Sequence, residues 1–199
     1  EEESGTQTLL TGELALEGAF QYHNAATAIA ALHALGERVR WDVSALERSR
    51  YAIDRDRPLL SGRLQHLASN PDLVVDVGHN PQAARELARW LDRHPAQGET
   101  RAVFGALADK DIEGVVAALG ARIGRWYLAG LDDESPRGET VGRLAARVRA
   151  ALPEAICAEY PDIVGRLAAA RVEATADDRI IAFGSFHVVG PVLREVARL

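Results

Sequence analysis

Asp76 and His79 lie three positions apart, where an apolar run gives way to a helical pattern. Asp76 could accept hydrogen bonds from a ribose, and His79 could donate one to a phosphate oxygen or a carboxylate. Both side chains could equally close the turn between a strand and a helix. Asn80 is a good helix N-cap and Pro81 a good first helical residue, so a helix is predicted to begin there.

Lys110 is the only lysine in a chain with 23 lysine and arginine residues. Its compact ammonium group has three rotatable donors, whereas arginine presents a planar fork. It follows a predicted strand that ends near Phe104, and it precedes a helix that Asp109 or Asp111 could cap. A cation in this loop could hold a carboxylate or the charge that develops on a phosphate, or it could be an exposed loop lysine.

Ser185 and His187 follow the last predicted strand, in the sequence Gly-Ser-Phe-His. Ser185 could cap the final helix or accept a hydrogen bond from a substrate ammonium. His187 is only two residues away and is poorly placed to act as a base for Ser185. We therefore interpret this segment as a binding turn and not as a nucleophile site.

Arg63 and Asn24 are further candidates for contact with a nucleotide. Arg63 lies 13 positions before Asp76, just past a predicted hinge at Arg55–Pro58, so its guanidinium could reach ATP from a second domain. Asn24 opens an alanine-rich helical stretch, where its residue type favours a helix N-cap.

The elements that must position these residues alternate between strands and amphipathic helices from about Arg57 onward. This order predicts an α/β fold: a mostly parallel, Rossmann-like sheet with right-handed crossovers and helices on both faces. Pro191 predicts a kink or a late start in the final helix. The predicted strands are Leu73–Val77, Arg101–Phe104, Trp126–Ala129, Ala155–Ala158 and Arg179–Phe183.

Residues 1–57 have a different pattern. Thr8–Leu16 alternates weakly like a strand, and helices are predicted at Asn24–Leu35 and Asp42–Tyr51. These elements are too few for a full domain core, so we expect them to be the tail of a preceding domain. The chain contains no methionine and begins with Glu1, which indicates a piece of a longer protein.

Composition excludes several classes of function. The net charge of −6 argues against general binding to nucleic acid or anionic membranes. A single cysteine excludes an internal disulfide, and no apolar run approaches the roughly 18 residues needed to span a bilayer. No G-x-x-x-x-G-K-[ST] phosphate loop is present, and no G-x-G-x-x-G follows a strand, so nicotinamide and flavin enzymes are poorly supported.

Four motifs together resemble one family. They are Gly62–Gln65, Asp76–Pro81, Ala108–Asp111 and Gly184–His187, in that order. The chain from about Gly18 to its end is similar to the C-terminal part of bifunctional dihydrofolate synthase/folylpolyglutamate synthases, a branch of the ATP-dependent Mur-type amide ligases. This chain has Gly78 where that family usually has alanine and Leu64 where it has an aromatic residue, and we interpret both departures as conservative.

The resemblance implies an organisation and an activity. Residues 1–57 would be the tail of the central ATP-binding domain, and 58–199 the C-terminal glutamate-ligase domain. The whole enzyme would use ATP and Mg²⁺ to add L-glutamate to dihydropteroate or tetrahydrofolate through an acyl phosphate. It would be a cytoplasmic monomer, with its metal ligands and phosphate loop in the N-terminal part. The piece alone would be inactive.

The resemblance also implies roles for individual residues. Lys110 would contact the incoming amino acid, as would Ser185, with His187 beside it. Asp76 would meet the nucleotide, and His79 would face the phosphates or the amino acid. It further assigns Arg63 to ATP, Asn24 to the adenine and Ser135–Gly138 to a substrate-side loop, although that loop could be a plain turn.

Two other functions stay open at this point. One is a non-catalytic α/β domain that binds a nucleotide or a partner, because a fold does not dictate a function. The other is a cell-wall precursor or cyanophycin ligase. Those ligases usually show Asp-Tyr-Ala/Gly-His, whereas this chain has Asp76-Val77-Gly78-His79, which favours the folate branch.

Overall fold

A computed structural model describes residues 20–38 and 62–198. The chain divides into two compact units, Glu1–Leu59 and Leu60–Leu199. Several predictions lie outside the described residues: the strand Thr8–Leu16, the helix Asp42–Tyr51, the hinge Arg55–Pro58 and the domain boundary at 57/58.

The described part of the first unit is helix α1, Phe20–Leu35, followed by a short 3-10 turn at Gly36–Arg38. The predicted helix Asn24–Leu35 is therefore present, but it begins earlier. Because α1 has already started at Phe20, Asn24 lies inside the helix, and its interpretation as an N-cap is wrong.

The second unit alternates strands with helices along the chain. Its elements are β1 Gln65–Ala68, β2 Asp72–Asp76, α2 Pro81–Arg93, β3 Thr100–Gly105, α3 Ile112–Leu119, β4 Arg125–Ala129, α4 Val141–Ala151, β5 Ile156–Tyr160, α5 Ile163–Glu173, β6 Arg179–Phe183 and α6 Phe186–Val196. None of the helices in the described part of the chain is both long and apolar enough to cross a membrane.

The strands form one six-stranded sheet in the order β1-β2-β6-β3-β4-β5. Strand β1 runs antiparallel to β2, and every other pair is parallel. Strand β6 lies between β2 and β3, so that Asp76 is in register with Phe183 and Phe183 with Phe104. The carboxyl ends of β2, β6 and β3 are consequently neighbours at one edge of the sheet, which we call the carboxyl edge.

Helices cover both faces of the sheet. On one face α5 and α6 contact each other and supply Ile163, Leu167, Val188 and Val192 to a core that also holds Leu73. Helices α2, α3 and α4 lie over the other face, where α2 contacts α3 and α3 contacts α4. The rings of Phe104, Trp126 and Phe183 form a buried cluster there, and such aromatic pairs stabilise a core beyond their area alone.

The predicted fold class, a mostly parallel sheet with helices on both faces, is confirmed. The short antiparallel strand β1 was missed. The final helix begins at Phe186 and contains Pro191, so of the two predicted alternatives, a kink or a late start, the late start is not observed.

A polar side chain caps the start of each helix in the second unit. Each cap accepts a backbone N–H of the first turn, which otherwise has no partner within the helix. These caps include the predicted Asn80, Asp111 and Ser185, and Pro81 is the first residue of α2. The caps fix where each strand-to-helix turn ends, and the candidate residues lie in those turns.

Candidate functional site at the carboxyl edge

The carboxyl edge brings three of the predicted residues onto neighbouring strands. Asp76 is the last residue of β2, Ser185 follows β6 by two positions, and Lys110 lies in the loop between β3 and α3. Ligands of open α/β sheets bind outside the carboxyl ends of the strands, where the strand order reverses. The order β2-β6-β3 creates such a position here.

Asp76 is buried and accepts two backbone hydrogen bonds. Its Oδ2 accepts the N–H of Leu64 at 3.0 Å, and its Oδ1 accepts the N–H of Gly78 at 2.6 Å. Burial raises the pKa of Asp76, and this effect outweighs the two hydrogen bonds and the charge of Arg63, which lower it. The carboxylate thus closes the strand–helix turn, one of the outcomes that the sequence left open, and each oxygen keeps a further lone pair for a ligand.

Gly78 fits tightly beneath this carboxylate. A Cβ at Gly78 would lie 2.6 Å from Oδ1 of Asp76 and 2.9 Å from the Cβ of Ala83 on α2. The alanine that is usual at this position in the resembled family would therefore require Asp76 or α2 to shift.

His79 is exposed immediately after the turn. Its Nδ1 lies 3.2 Å from the carbonyl oxygen of Val77, a contact that makes Nδ1 the donor. When Nδ1 carries the proton, Nε2 has a free lone pair that can accept a proton from a ligand. A protonated His79 would instead donate to an anion through Nε2.

Arg63 is exposed in the segment that leads into β1. The same segment is fastened to the end of β2, because the N–H of Val77 donates to the carbonyl of Gly62 at 2.7 Å. Arg63 is close enough to Asp76 for its charge to lower the pKa of that carboxyl. The guanidinium therefore lies at the carboxyl edge beside β2.

Lys110 is half-buried, and its side chain has little to fix it. Its Nζ lies 3.9 Å from Oδ2 of Asp109, which is a long ion pair. The backbone of the loop is held by two hydrogen bonds. The N–H of Lys110 donates to the carbonyl of Leu107 at 3.1 Å, and the N–H of Ile112 donates to the carbonyl of Lys110 at 2.9 Å. The position of the ammonium is therefore set mainly by the main chain of this loop.

The Pro136-Arg137-Gly138 segment lies directly beside the Lys110 loop. The N–H of Ala108 donates to the carbonyl of Arg137 at 2.8 Å, and the guanidinium of Arg137 pairs with Asp109. Gly138 forms an antiparallel bridge with Leu107. The sequence left two interpretations of this segment open, a substrate-side loop or a plain turn. The structure places the segment at the same edge as Lys110.

Two further residues of this edge were missed from the sequence. Arg147 on α4 donates hydrogen bonds to the carbonyl oxygens of Ala108 and Lys110 in the Lys110 loop. Glu139, only 1% exposed, lies 3.5 Å from that guanidinium through Oε2. No local signal distinguishes these two residues, because their partners lie far away along the chain.

Ser185 is buried and caps α6. Its Oγ accepts the N–H of His187 at 3.1 Å, which leaves the hydroxyl hydrogen free to donate and a second lone pair to accept. The side chain of His187 is half-buried in the first turn. Phe186, between them, is 68% exposed at the same edge.

Asn24 belongs to the other unit and lies within α1. The structure places the other predicted residues, from Arg63 to His187, at the carboxyl edge or in the first turns that follow it.

The sequence pattern of the Mur ligase, glutamate ligase domain matches residues 62–186, which contain the whole carboxyl edge. The chain belongs to the Mur ligase glutamate ligase domain family.

Two relatives are similar to this chain, one in sequence and one in structure. The dihydrofolate synthase/folylpolyglutamate synthase of Escherichia coli strain K12 is 36% identical over 176 residues, covering 87% of this chain and 37% of the relative. The structure of E. coli FolC in complex with DHPP and ADP has a TM-score of 0.71 at 33% identity, covering 88% of this chain and 39% of that one. This chain thus spans well under half the length of these relatives.

A third relative was solved with more ligands. It is a bifunctional folylpolyglutamate synthase/dihydrofolate synthase with Mn, AMPPNP and L-glutamate bound, at a TM-score of 0.74 and 35% identity. It matches over 94% of this chain and 42% of its own length.

The opposite edge of the sheet carries a separate feature of this family member. A cavity of about 420 Å³ lies at the amino ends of β2 and β6, among His66, Asp72, Asp178 and Arg179. Arg179 and Asp72 are already paired there at 2.6 Å, and Asp178 accepts backbone N–H groups. These contacts are structural, so we assign the cavity no catalytic role.

A metal site is a different matter. Within residues 20–38 and 62–198, no group of three or more His, Cys, Asp or Glu side chains is arranged to hold a metal ion. The described residues therefore offer no such ligand cluster for a resident Mg²⁺.

Proposed function

We propose that this chain is the C-terminal glutamate-ligase part of an ATP-dependent amide ligase that adds L-glutamate to dihydropteroate, to tetrahydrofolate or to both. The observation that carries the proposal is the gathering of Asp76, Lys110 and Ser185 at one edge of the sheet, in a member of the glutamate ligase domain family. Residues 1–57 would be the tail of the ATP-binding domain of a cytoplasmic, monomeric enzyme, and the Mg²⁺ ligands would lie outside the described residues.

The reaction has two steps. A carboxylate oxygen of the pterin substrate attacks the γ-phosphorus of ATP, and ADP leaves with the electrons of the broken P–O bond. The glutamate ammonium loses one proton to give the neutral amine, which attacks the acyl carbon. The tetrahedral intermediate then loses a second proton from nitrogen, and phosphate leaves with the electrons of the C–O bond. The protein's part is to align the reactants and to balance their negative charge.

The carboxyl edge supplies groups for both tasks. Lys110 would hold a carboxylate of the incoming glutamate, and Ser185 would contact its amino group through the lone pair that the helix cap leaves free. His187 would border that subsite. His79 would act through Nε2, either by taking the ammonium proton or, when protonated, by donating to the phosphates.

The nucleotide would lie on the β2 side of the edge. Asp76 would accept hydrogen bonds from it through its remaining lone pairs, and Arg63 would face the phosphates. Asn24, from the other unit, is proposed to contact the adenine.

The activity test uses the full-length protein that contains this chain. ATP- and L-glutamate-dependent release of phosphate should be seen with dihydropteroate, with tetrahydrofolate or with both. A non-catalytic nucleotide-binding domain would bind ATP but release no phosphate with either pterin, and that result would overturn the proposal.

The role of Lys110 has its own test. Lys110→Ala should raise the KM for L-glutamate about 10-fold or more and leave the KM for ATP near the wild-type value, because loss of one charge-assisted contact removes about 1.5–3 kcal/mol. Lys110→Arg should recover only part of the loss, since its fork differs in shape from an ammonium. Equal changes in both KM values would refute this role.

A further inference from the structure

We propose that Arg147 is a positioning residue for Lys110: one guanidinium on α4 holds the main chain of the loop that presents the lysine. This inference rests on the proposed function of Lys110 and extends it to a residue that touches no substrate.

Arg147 binds the loop at two carbonyl oxygens. Its Nη1 donates to the carbonyl of Ala108 at 3.2 Å, and its Nη2 donates to the carbonyl of Lys110 at 3.0 Å. These carbonyls belong to the lysine itself and to the residue two positions before it. A rotation of either peptide would move the ammonium, so the two bonds restrict where Nζ can point.

The guanidinium is itself held by two acids. The carboxylate of Glu113 on α3 accepts hydrogen bonds from Nε and Nη2 of Arg147, at 2.6 and 2.5 Å, as a bidentate pair. Buried Glu139 lies 3.5 Å from Nη1. The hydrogen bonds to Glu113 raise the pKa of the Arg147 guanidinium, and Glu139 adds to the effect. Arg147 therefore stays charged and joins α3, α4 and the loop.

The contacts at position 147 need the several donors of an arginine side chain. A planar fork with several donors can serve two carbonyls and a carboxylate at once, whereas a lysine at the same position is a single point of attachment. The loop is also fastened from its other side by Arg137, whose carbonyl accepts the N–H of Ala108. Loss of Arg147 should therefore loosen the loop without unfolding the domain.

Arg149 provides a matched control on the same helix. It pairs with Glu159 on β5 at 2.8 Å and, among the described residues, forms no hydrogen bond or ion pair with the Lys110 loop. Arg149→Met removes the same charge and one cross-element ion pair. It should leave the KM for glutamate unchanged.

The kinetic experiment uses the full-length enzyme with Arg147→Met, Arg147→Lys and Arg149→Met. Arg147→Met should raise the KM for L-glutamate about 10-fold or more, since small misplacements of a positioning group cost up to about 100-fold in rate. The KM for ATP should not change. Arg147→Lys should resemble Arg147→Met; full recovery with lysine would show that charge alone matters and would overturn the clamp.

A double-mutant cycle separates this inference from the proposed function. If Arg147 acts through Lys110, Arg147→Met should add nothing in a Lys110→Ala background, because the two effects are then strongly coupled. Additive effects would overturn the inference. If Lys110→Ala alone leaves the KM for glutamate unchanged, the proposed role of Lys110 fails instead.

A readout without substrate completes the test. In Arg147→Met, the amide hydrogens of Lys110 and Ile112 should exchange faster, whereas amides of the distant strand β2 should keep their wild-type rates. Unchanged exchange in the loop would contradict the clamp even if the kinetic constants moved.

Discussion

Leu64 and Asp76 hold each other in place. Leu64 has a φ of 45°, a left-handed conformation that residues other than glycine rarely adopt. Its N–H donates to the buried carboxylate of Asp76 at 3.0 Å, across 12 positions of the chain. The residue proposed to meet the nucleotide therefore also fixes the segment that carries Arg63, so ligand binding and local structure share one side chain.

Asp76 should give stability a characteristic dependence on pH. Burial raises its pKa in the folded state above the ordinary 3.8. The folded protein thus favours the protonated acid, a contribution that is full below pH 3.8 and is lost as the pH rises through the folded-state pKa. The free energy of unfolding of wild type, minus that of Asp76→Asn, should fall across this window. Denaturant unfolding from pH 3 to 7 checks the slope, and a difference that grows with pH would contradict it.

Asp178, at the other edge of the sheet, should show the opposite slope. Burial raises its pKa, but hydrogen bonds from the N–H groups of Thr175 and Glu99 and from Arg101 outweigh burial and lower it overall. Its contribution is therefore present above pH 3.8 and is lost as the pH falls through the lowered pKa.

Asp178→Asn should lower the free energy of unfolding by about 1–3 kcal/mol at pH 7. Asparagine has one acceptor oxygen where aspartate has two, so one backbone N–H loses its hydrogen-bond acceptor. The cost should shrink below pH 3.8. The same denaturant series that measures Asp76→Asn serves here, so the two variants act as controls for each other. Parallel slopes would mean that general acid unfolding, and not these carboxyls, controls the pH dependence.

The sequence was sufficient for features that depend on local spacing. The strands Asp72–Asp76 and Arg179–Phe183 are apolar runs, and α2 repeats its apolar residues at helical intervals. Parallel strands then place their following turns at one edge, which is where Asp76, Lys110 and Ser185 lie.

Long-range contacts explain what was missed. Strand β1 has no β-branched residue, and it forms because β2 offers it a hydrogen-bonding partner. Arg147 has no local signature as a site residue, because its partners Glu113 and Ala108 lie 34 and 39 positions away. Periodicity reports which face of an element is apolar, but it does not report which polar side chain another loop will approach.

Gly138 should be intolerant of any side chain. A Cβ there would lie 1.9 Å from the carbonyl oxygen of Leu131, a backbone atom that cannot move aside alone. Gly138→Ala should lower the free energy of unfolding by about 1–3 kcal/mol or more, as overpacking does, and it should displace the neighbouring Lys110 loop.

Gly142, on α4, is the control for that variant because nothing lies within 4 Å of its Cβ position. Gly142→Ala should stabilise the protein by about 0.5–1 kcal/mol through helix propensity. Thermal and denaturant unfolding measure both. If the two variants behaved alike, the crowding at Gly138 would have no energetic consequence.

Arg166 is a fully buried cation whose replacement should stabilise the fold. Its Nη2 donates to the carbonyl of Tyr160, but its Nε and Nη1 have no hydrogen-bond partner in the part of the chain that the structure describes. Burial lowers the pKa of Arg166 to about 9. Replacing a poorly compensated buried charge with an apolar side chain of similar volume is often neutral or stabilising by about 1–4 kcal/mol.

Arg166→Met should therefore raise the free energy of unfolding at pH 7, while Arg85→Met on the exposed face of α2 should change it by less than about 0.5 kcal/mol. The sign of the pH dependence follows from the lowered pKa. The folded wild type favours the neutral guanidine, so its stability relative to Arg166→Met rises as the pH climbs above about 9. The excess unfolding free energy of Arg166→Met over wild type should be smaller at pH 10 than at pH 7. If the variant were less stable than wild type at pH 7, the contacts of Arg166 with Tyr160 would be sufficient to compensate the buried charge.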